Sequence, residues 1–395
     1  MRVAVFTDND FDKVNGVTTT LRALLRHAPS HIEPRIYTCA DLEVDTPHYV
    51  ALKSLGVGIP FYREMRMYLP RLRAFTRRVV ADGISVVHVT TPGPVGLAGR
   101  YVAAKLALPM VGSFHTHLAE YATHLSGSEM LGRAMQRYMN WTYRPSRTLL
   151  GPSEATLRLL AASGFDRAKL RIWKRGVDTA TFTPDRRSNA VRERWGVSDR
   201  RPAFLYAGRL SREKGLALFD DLQTALIRHH IAHRFIFVGD GPMREELKSL
   251  CPDAIFTGTL PHDAVAQTMA SADVFVFPST TDSAGNVVLE AQACGLPVLV
   301  ADAGGPAENI LPGTTGFVCI AGDALSFCWR LDDLLRDADV KLAMGRAARE
   351  YARTRPWPIA LNPLFRAWEE AALHGERIRE ARAVTASPGP QPAAR

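Results

Sequence analysis

Long apolar runs are missing from this sequence. Nowhere do about 18 or more hydrophobic residues follow one another, the length a helix needs to cross a bilayer. The opening Met1-Arg-Val-Ala-Val-Phe6 reads as a strand and not as a secretory leader, so the expectation is a cytoplasmic protein. Cysteine is scarce: five residues, at 39, 251, 294, 319 and 328, with no Cys-x-x-Cys. That excludes a disulfide framework and a zinc site and leaves buried thiols as the default. Acidic residues run short in one half only. Residues 1–185 hold 24 Lys and Arg against 15 Asp and Glu, whereas 186–395 hold 25 of each, so the net charge of +9 belongs to the first half. No stacking motif or recognition helix accompanies those cations, so nucleic acid is not an expected partner.

The densest basic stretch runs from Tyr62 to Val80, where Arg63, Arg66, Arg71, Arg73, Arg77 and Arg78 alternate with Met65, Met67, Leu69, Leu72, Phe75, Val79 and Val80. From Pro70 onward the spacing predicts an amphipathic helix with a cationic face. Arg71, Arg73, Arg77 and Arg78 would lay that face on an anionic membrane; a surface helix with solvated arginines is the alternative.

Short β-branched runs alternate with helical stretches along the chain. They lie at Val3–Phe6, Arg35–Thr38, Val86–Val89, Met110–Phe114 and Thr148–Gly151, then at Ala203–Ala207, Arg234–Val238, Ala254–Thr257, Val274–Pro278 and Val298–Ala301. This pattern predicts an α/β protein with two parallel sheets, each covered by helices on both faces. The polar segment 178–202 reads as a linker between a domain at 1–177 and a second at 203–356. Residues 357–379 read as a C-terminal helix, and beyond about residue 380 the composition is that of a disordered tail. Ligands in such open sheets bind at the carboxyl ends of strands, which places a cleft between the two domains.

Residues 279–297, Ser-Thr-Thr-Asp-Ser-Ala-Gly-Asn-Val-Val-Leu-Glu-Ala-Gln-Ala-Cys-Gly-Leu-Pro, set Asp282 and Glu290 eight positions apart around a glycine that opens an apolar helix. Asn286 can cap that helix, and its first-turn amides at Asn286, Val287 and Val288 would receive an anion. Glu290, one turn inside, and Asp282, on the loop, can accept from sugar hydroxyls. A capped core helix with a solvated Glu290 is the other reading. Arg209 and Lys214, in Gly-Arg-Leu-Ser-Arg-Glu-Lys-Gly after a strand, are cations fit to neutralise a diphosphate. Gly239 and Gly241, in Val-Gly-Asp-Gly-Pro, allow a tight turn or a close approach to a ligand. In the first half, Gly16 follows a strand at a helix start, and Gly112-Ser-Phe-His-Thr-His-Leu118 carries His115 and His117 near a strand end.

The 279–297 segment, with Arg209, Lys214 and the Gly-Asp-Gly turn before it, resembles the signature of family 4 retaining glycosyltransferases of the GT-B type. That pattern is Glu, seven residues, Glu, and aspartate stands here at the first position. Val14-Asn-Gly-Val-Thr18, His115-Thr-His-Leu118 and Arg175-Gly-Val-Asp178 are similar to the bacterial lipid-linked branch, which includes GDP-mannose-dependent α-mannosyltransferases and sulfoquinovosyl-diacylglycerol synthases. The resemblance implies two Rossmann-like domains facing across a cleft, with the C-terminal helix crossing back to the first. It implies hexose transfer with retention from a nucleoside diphosphate sugar, GDP-mannose as leading donor, to a lipid acceptor at the membrane. A UDP-sugar-dependent diacylglycerol glycosyltransferase and a non-catalytic nucleotide-sugar binder are the alternatives. It carries His115 over as the active-site histidine, places Arg175 toward the donor, has the base read near Thr259 and Leu260, and calls for no metal and no cofactor.

Overall fold

The structure is a computed structural model. It describes residues 1–386 except 10, 12–15, 60–61 and 116–117, with backbone alone at 59, 62–65, 120–121, 124–125 and 381–386. Val14 and Asn15 of the motif above, His117 and the segment 387–395 therefore lie outside the described residues.

Two parallel sheets form the frame. In spatial order the first comprises Leu170–Ile172, Thr148–Gly151, Met110–Ser113, Val86–Val89, Arg2–Phe6, Glu33–Ala40, Tyr49–Lys53 and Val44–Asp45, with the last strand alone antiparallel. The second comprises Ile255–Gly258, Arg234–Val238, Ala203–Ala207, Val274–Phe277, Val298–Ala301 and Gly316–Cys319, all parallel. Strands such as Val86–Val89 and Val298–Ala301 are buried throughout, because helices cover both faces. All five cysteines are buried free thiols. A separate hairpin, Gly56–Ile59 with Tyr62–Tyr68, stands beside the first sheet.

Asp273 is the buried carboxylate that ties the segment between the sheets to the second one. Asp273 accepts from Arg192 at 3.0 Å, from Arg187 at 3.2 Å and from the amide of Ala203 at 2.8 Å. Arg192 is itself buried, within the helix Asn189–Trp195. After the second sheet, the helix Trp357–Ala386 returns to the first. Its Trp357, Leu361, Leu364, Trp368 and Ala371 share one core with Val3, Val5, Val86 and Trp173. This helix continues to Ala386, past the point where composition alone places a disordered tail.

Replacing Asp273 by Ala leaves the Arg192 guanidinium buried without its counter-charge. Urea unfolding should show a loss of about 3–5 kcal/mol. An unchanged midpoint would mean that water, not Asp273, satisfies the arginine.

Candidate active site

Several helices start at the carboxyl ends of the strands, where the two sheets face one another, and each brings first-turn amides that need acceptors. Two are satisfied from within the protein. Asp8 accepts from Val95 at 2.7 Å and Gly96 at 3.2 Å at the start of Pro94–Lys105, and from the Thr91 hydroxyl at 2.6 Å. Glu308, from the second domain, accepts from Glu154 at 2.8 Å and Ala155 at 2.7 Å at the start of Glu154–Ala162 in the first. The helices Gly16–His27 and Asn286–Ala293 have no acidic residue in their first turns, and at the second start Asp282 accepts from the Gly285 amide at 3.2 Å. These two starts meet: a Cβ on Gly16 would stand 3.5 Å from Nδ2 of Asn286.

Gly285 sets the second of these helix starts. It adopts φ +65°, and a Cβ there would come within 2.9 Å of Pro306, so only glycine fits. Gly285 is the capping residue. Asn286 is the first helical residue and its Oδ1 is buried without a partner, which corrects the expectation that Asn286 caps. The side chain of Val288 belongs to the core and its amide donates to Gly285 at 3.0 Å, so Val288 is not available to an anion. Val287 is half-buried against the same core. Asn309 clamps the turn from behind, donating to the carbonyls of Ala284 at 2.5 Å and Gly285 at 3.3 Å.

Asp282 and Lys214 form an ion pair of 2.8 Å. Burial alone would raise the Asp282 carboxyl; Lys214 and the amides of Gly285 and Ala284 outweigh it and hold the group below the usual range. A carboxylate offers about four acceptor positions, so Asp282 can hold Lys214 and still receive a ligand hydroxyl. Glu290 is governed by burial alone, which pushes it up to about 7. Arg209 lies on a loop whose neighbours are fixed by the 238–242 turn: Gly208 donates to Val238 and Leu210 to Asp240, each at 2.9 Å. Gly239, at φ +125°, packs directly on that loop, since a Cβ would lie 2.0 Å from the Gly208 carbonyl. The close approach at Gly239, and likewise at Gly241 beside Leu210, is to backbone. Thr259 and Leu260 follow Gly258, whose carbonyl accepts from Gly239 at 2.9 Å.

Two first-domain expectations need correction. Arg175 is 3% exposed and does not face the cleft. It stacks 4.3 Å over Trp173 and donates to Nδ1 of His115 at 2.9 Å. Because a guanidinium only donates, Nδ1 must accept, and the His115 proton sits on Nε2. That nitrogen meets Ser113 Oγ at 2.8 Å, and Ser113 Oγ meets Nε2 of His88 at 2.9 Å. Both His115 ring nitrogens are thus engaged inward, and the imidazole has no position left for a sugar. Burial, then Arg175 and His88, keep its pKa well below the ordinary value, so it stays neutral. What His115 presents across the cleft is its carbonyl, which accepts from Ser283 at 2.5 Å.

The basic face is also partly consumed. Arg78 pairs with Asp45 at 2.5 Å and with Asp82 at 3.1 Å, which removes it from the proposed membrane contacts. Arg71, at the start of the helix Leu72–Ala81, lies 3.9 Å from Glu43, while Arg73 and Arg77 are exposed. Leu69 and Leu72 are exposed beside them. Among the described residues no helix is long and apolar enough to cross a membrane.

The family models described as Glycosyl transferases group 1 and Glycosyltransferase Family 4 match residues 201–337 and 14–181. The chain belongs to the family 4 glycosyltransferases. It is 31% identical to a GDP-mannose-dependent alpha-mannosyltransferase of Mycobacterium tuberculosis over 96% of this chain and 99% of that one. It is 32% identical to the sulfoquinovosyl transferase of Arabidopsis thaliana over 94% and 74%. Among solved structures, Anabaena HepE with UDP-glucose superposes with a TM-score of 0.73 at 18% identity, covering 94% of this chain and all of the other. The sucrose-phosphate synthase of Thermosynechococcus elongatus gives 0.71 at 19%, covering 97% and 99%. The fold of this glycosyltransferase is therefore GT-B.

Ser283, Glu308 and His88 escape a reading of the sequence, because each acts on a partner remote in the chain. Glu308 tests the closed arrangement. Glu308→Ala uncaps a helix across the cleft and should cost about 1 kcal/mol of the closed state. Small-angle scattering should then report a larger radius of gyration; an unchanged radius would mean that Ser283 and the crossing helix suffice.

Proposed function

We propose that this glycosyltransferase moves a hexose, mannose from GDP-mannose as the leading case, with retention, to a lipid acceptor at the membrane surface. The observation that carries this reading is the meeting of two helix starts, both without acidic first-turn residues, beside the Lys214–Asp282 pair and Glu290. A diphosphate fits that place, because helix-start amides and fixed cations favour the charge that develops as the sugar departs. Lys214 and Arg209 meet the phosphates, Asp282 orients Lys214 and accepts from the hexose, and Glu290 accepts from hydroxyls one turn deeper. No step in this reading draws on a metal or a cofactor.

Relatives named as GDP-mannose-dependent mannosyltransferases support the donor, among them one acting on phosphatidylinositol monomannoside in Mycolicibacterium smegmatis. The sulfoquinovosyl transferase and an alpha-monoglucosyldiacylglycerol synthase keep a UDP-sugar and a diacylglycerol acceptor as the second reading. Arg73 and Arg77, with exposed Leu69 and Leu72, supply a mixed basic and apolar surface suited to anionic lipid.

The deciding assay is nucleoside diphosphate release from GDP-mannose and UDP-glucose, with and without lipid acceptor. Lys214→Ala should lower turnover about a hundredfold or more while the protein stays folded. The double change with Arg209→Ala should be less than additive if both side chains hold one diphosphate. Activity unaffected by either change would sink the assignment.

Glu290 gives this reading a pH signature. In the free protein burial puts its pKa at about 7, and a hydroxyl ligand needs the carboxylate form. Donor affinity should therefore rise between pH 6 and 8 and fall away as pH drops through about 7. Calorimetry on Glu290→Gln should find weaker binding and no such slope, and a slope that survives the change would point to another group.

A further inference from the structure

At the opposite end of the first sheet, away from the cleft, a cavity of about 960 Å3 opens where the strands Met110–Ser113 and Thr148–Gly151 begin. Arg100, Arg147, Lys169 and Arg171 line it. Arg78 is spent on Asp45 and Asp82, but none of these four makes an ion pair among the described residues. Glu370 is the carboxylate in the lining, beside His374 on the crossing helix. Four cations against one carboxylate leave the cavity with a net positive charge. Part of the first half's charge excess is gathered here and not at the cleft.

Ser146 is 2% exposed and its Oγ packs toward Gly112, so the polar groups that the cavity offers are those of the four cations. The Arg100 guanidinium lies 3.7 Å over the half-exposed ring of Trp141, held flat and ready to donate. Leu97, Ala104, Leu108 and Ile378 give the same cavity an apolar side, and its volume is that of a site for a whole small ligand.

We propose that this cavity is a second anion site, which takes a phosphate ester whose organic part rests against the apolar side and Trp141. The arginines bind the phosphate oxygens in pairs, as guanidinium forks do. The phosphate can belong to a soluble ester or to a phospholipid headgroup; the site chemistry is the same.

The test titrates the full chain with glycerol 3-phosphate by calorimetry and, separately, with vesicles of phosphatidylglycerol or phosphatidylcholine by co-sedimentation. Arg147→Glu with Arg171→Glu, both exposed positions, should weaken binding of the responding probe about tenfold or more. Arg147→Lys with Arg171→Lys should retain most of it, and circular dichroism checks folding. Lys214→Ala, altered only in the cleft, should bind as the unmodified chain does. Saturable binding of glycerol 3-phosphate identifies a soluble ester, and a response to phosphatidylglycerol vesicles alone identifies the headgroup. Binding that survives the charge reversal, or no binding of either probe, overturns the proposal.

Discussion

A helix that begins at a cleft must find acceptors for its first amides, and the cleft of this protein is arranged around that requirement. Asp8 and Glu308 answer it for two helices from within. The starts at Gly16 and Asn286 carry no acidic first-turn residue, and at the second Asp282 accepts from the Gly285 amide. The carboxylates therefore do different jobs: Asp8 fixes a helix within the first domain, Glu308 ties the second domain to the first, and Asp282 holds Lys214 and the turn that opens the helix of Glu290. Because Glu308 reaches from one domain into a helix of the other, the closing contact and the anion site use the same kind of interaction.

Charge placement in the first domain follows from burial. Arg175 sits deep, paired with no carboxylate among the described residues, and its field and the dry surroundings keep His115 and His88 neutral. Neutral imidazoles can then join a fixed chain through Ser113, which holds the His115 backbone where its carbonyl meets Ser283. The histidine matters to the cleft through its main chain.

The ten strands expected from β-branched runs are present, because a parallel strand covered on both faces must be continuously apolar. The strands that escaped lie near or at sheet edges. Leu170–Ile172 has an arginine at its centre, and Gly316–Cys319 opens on a glycine that a sequence reads as a turn, although Val298 packs too closely there for a side chain. The site was legible where chemistry is local: Asp282, Lys214 and Glu290 fall on one short loop and helix or the loop facing it. It was illegible where partners are distant. Spacing cannot reveal that Arg175 turns inward onto His115, or that Asp45 and Asp82 neutralise Arg78.

The helix Trp357–Ala386 bears on how the chain acquires its shape during synthesis. Leu361, Leu364, Trp368 and Ala371 complete the core around Val3, Val5 and Val86. A ribosome releases the first strand more than 350 residues before the residues that cover it. The second domain, made later, holds its whole core within its own stretch and the segment leading into it. The half translated first is thus the half that finishes folding last, with the part of one sheet face that Leu21 and Leu24 leave open exposed to chaperones until the closing helix emerges.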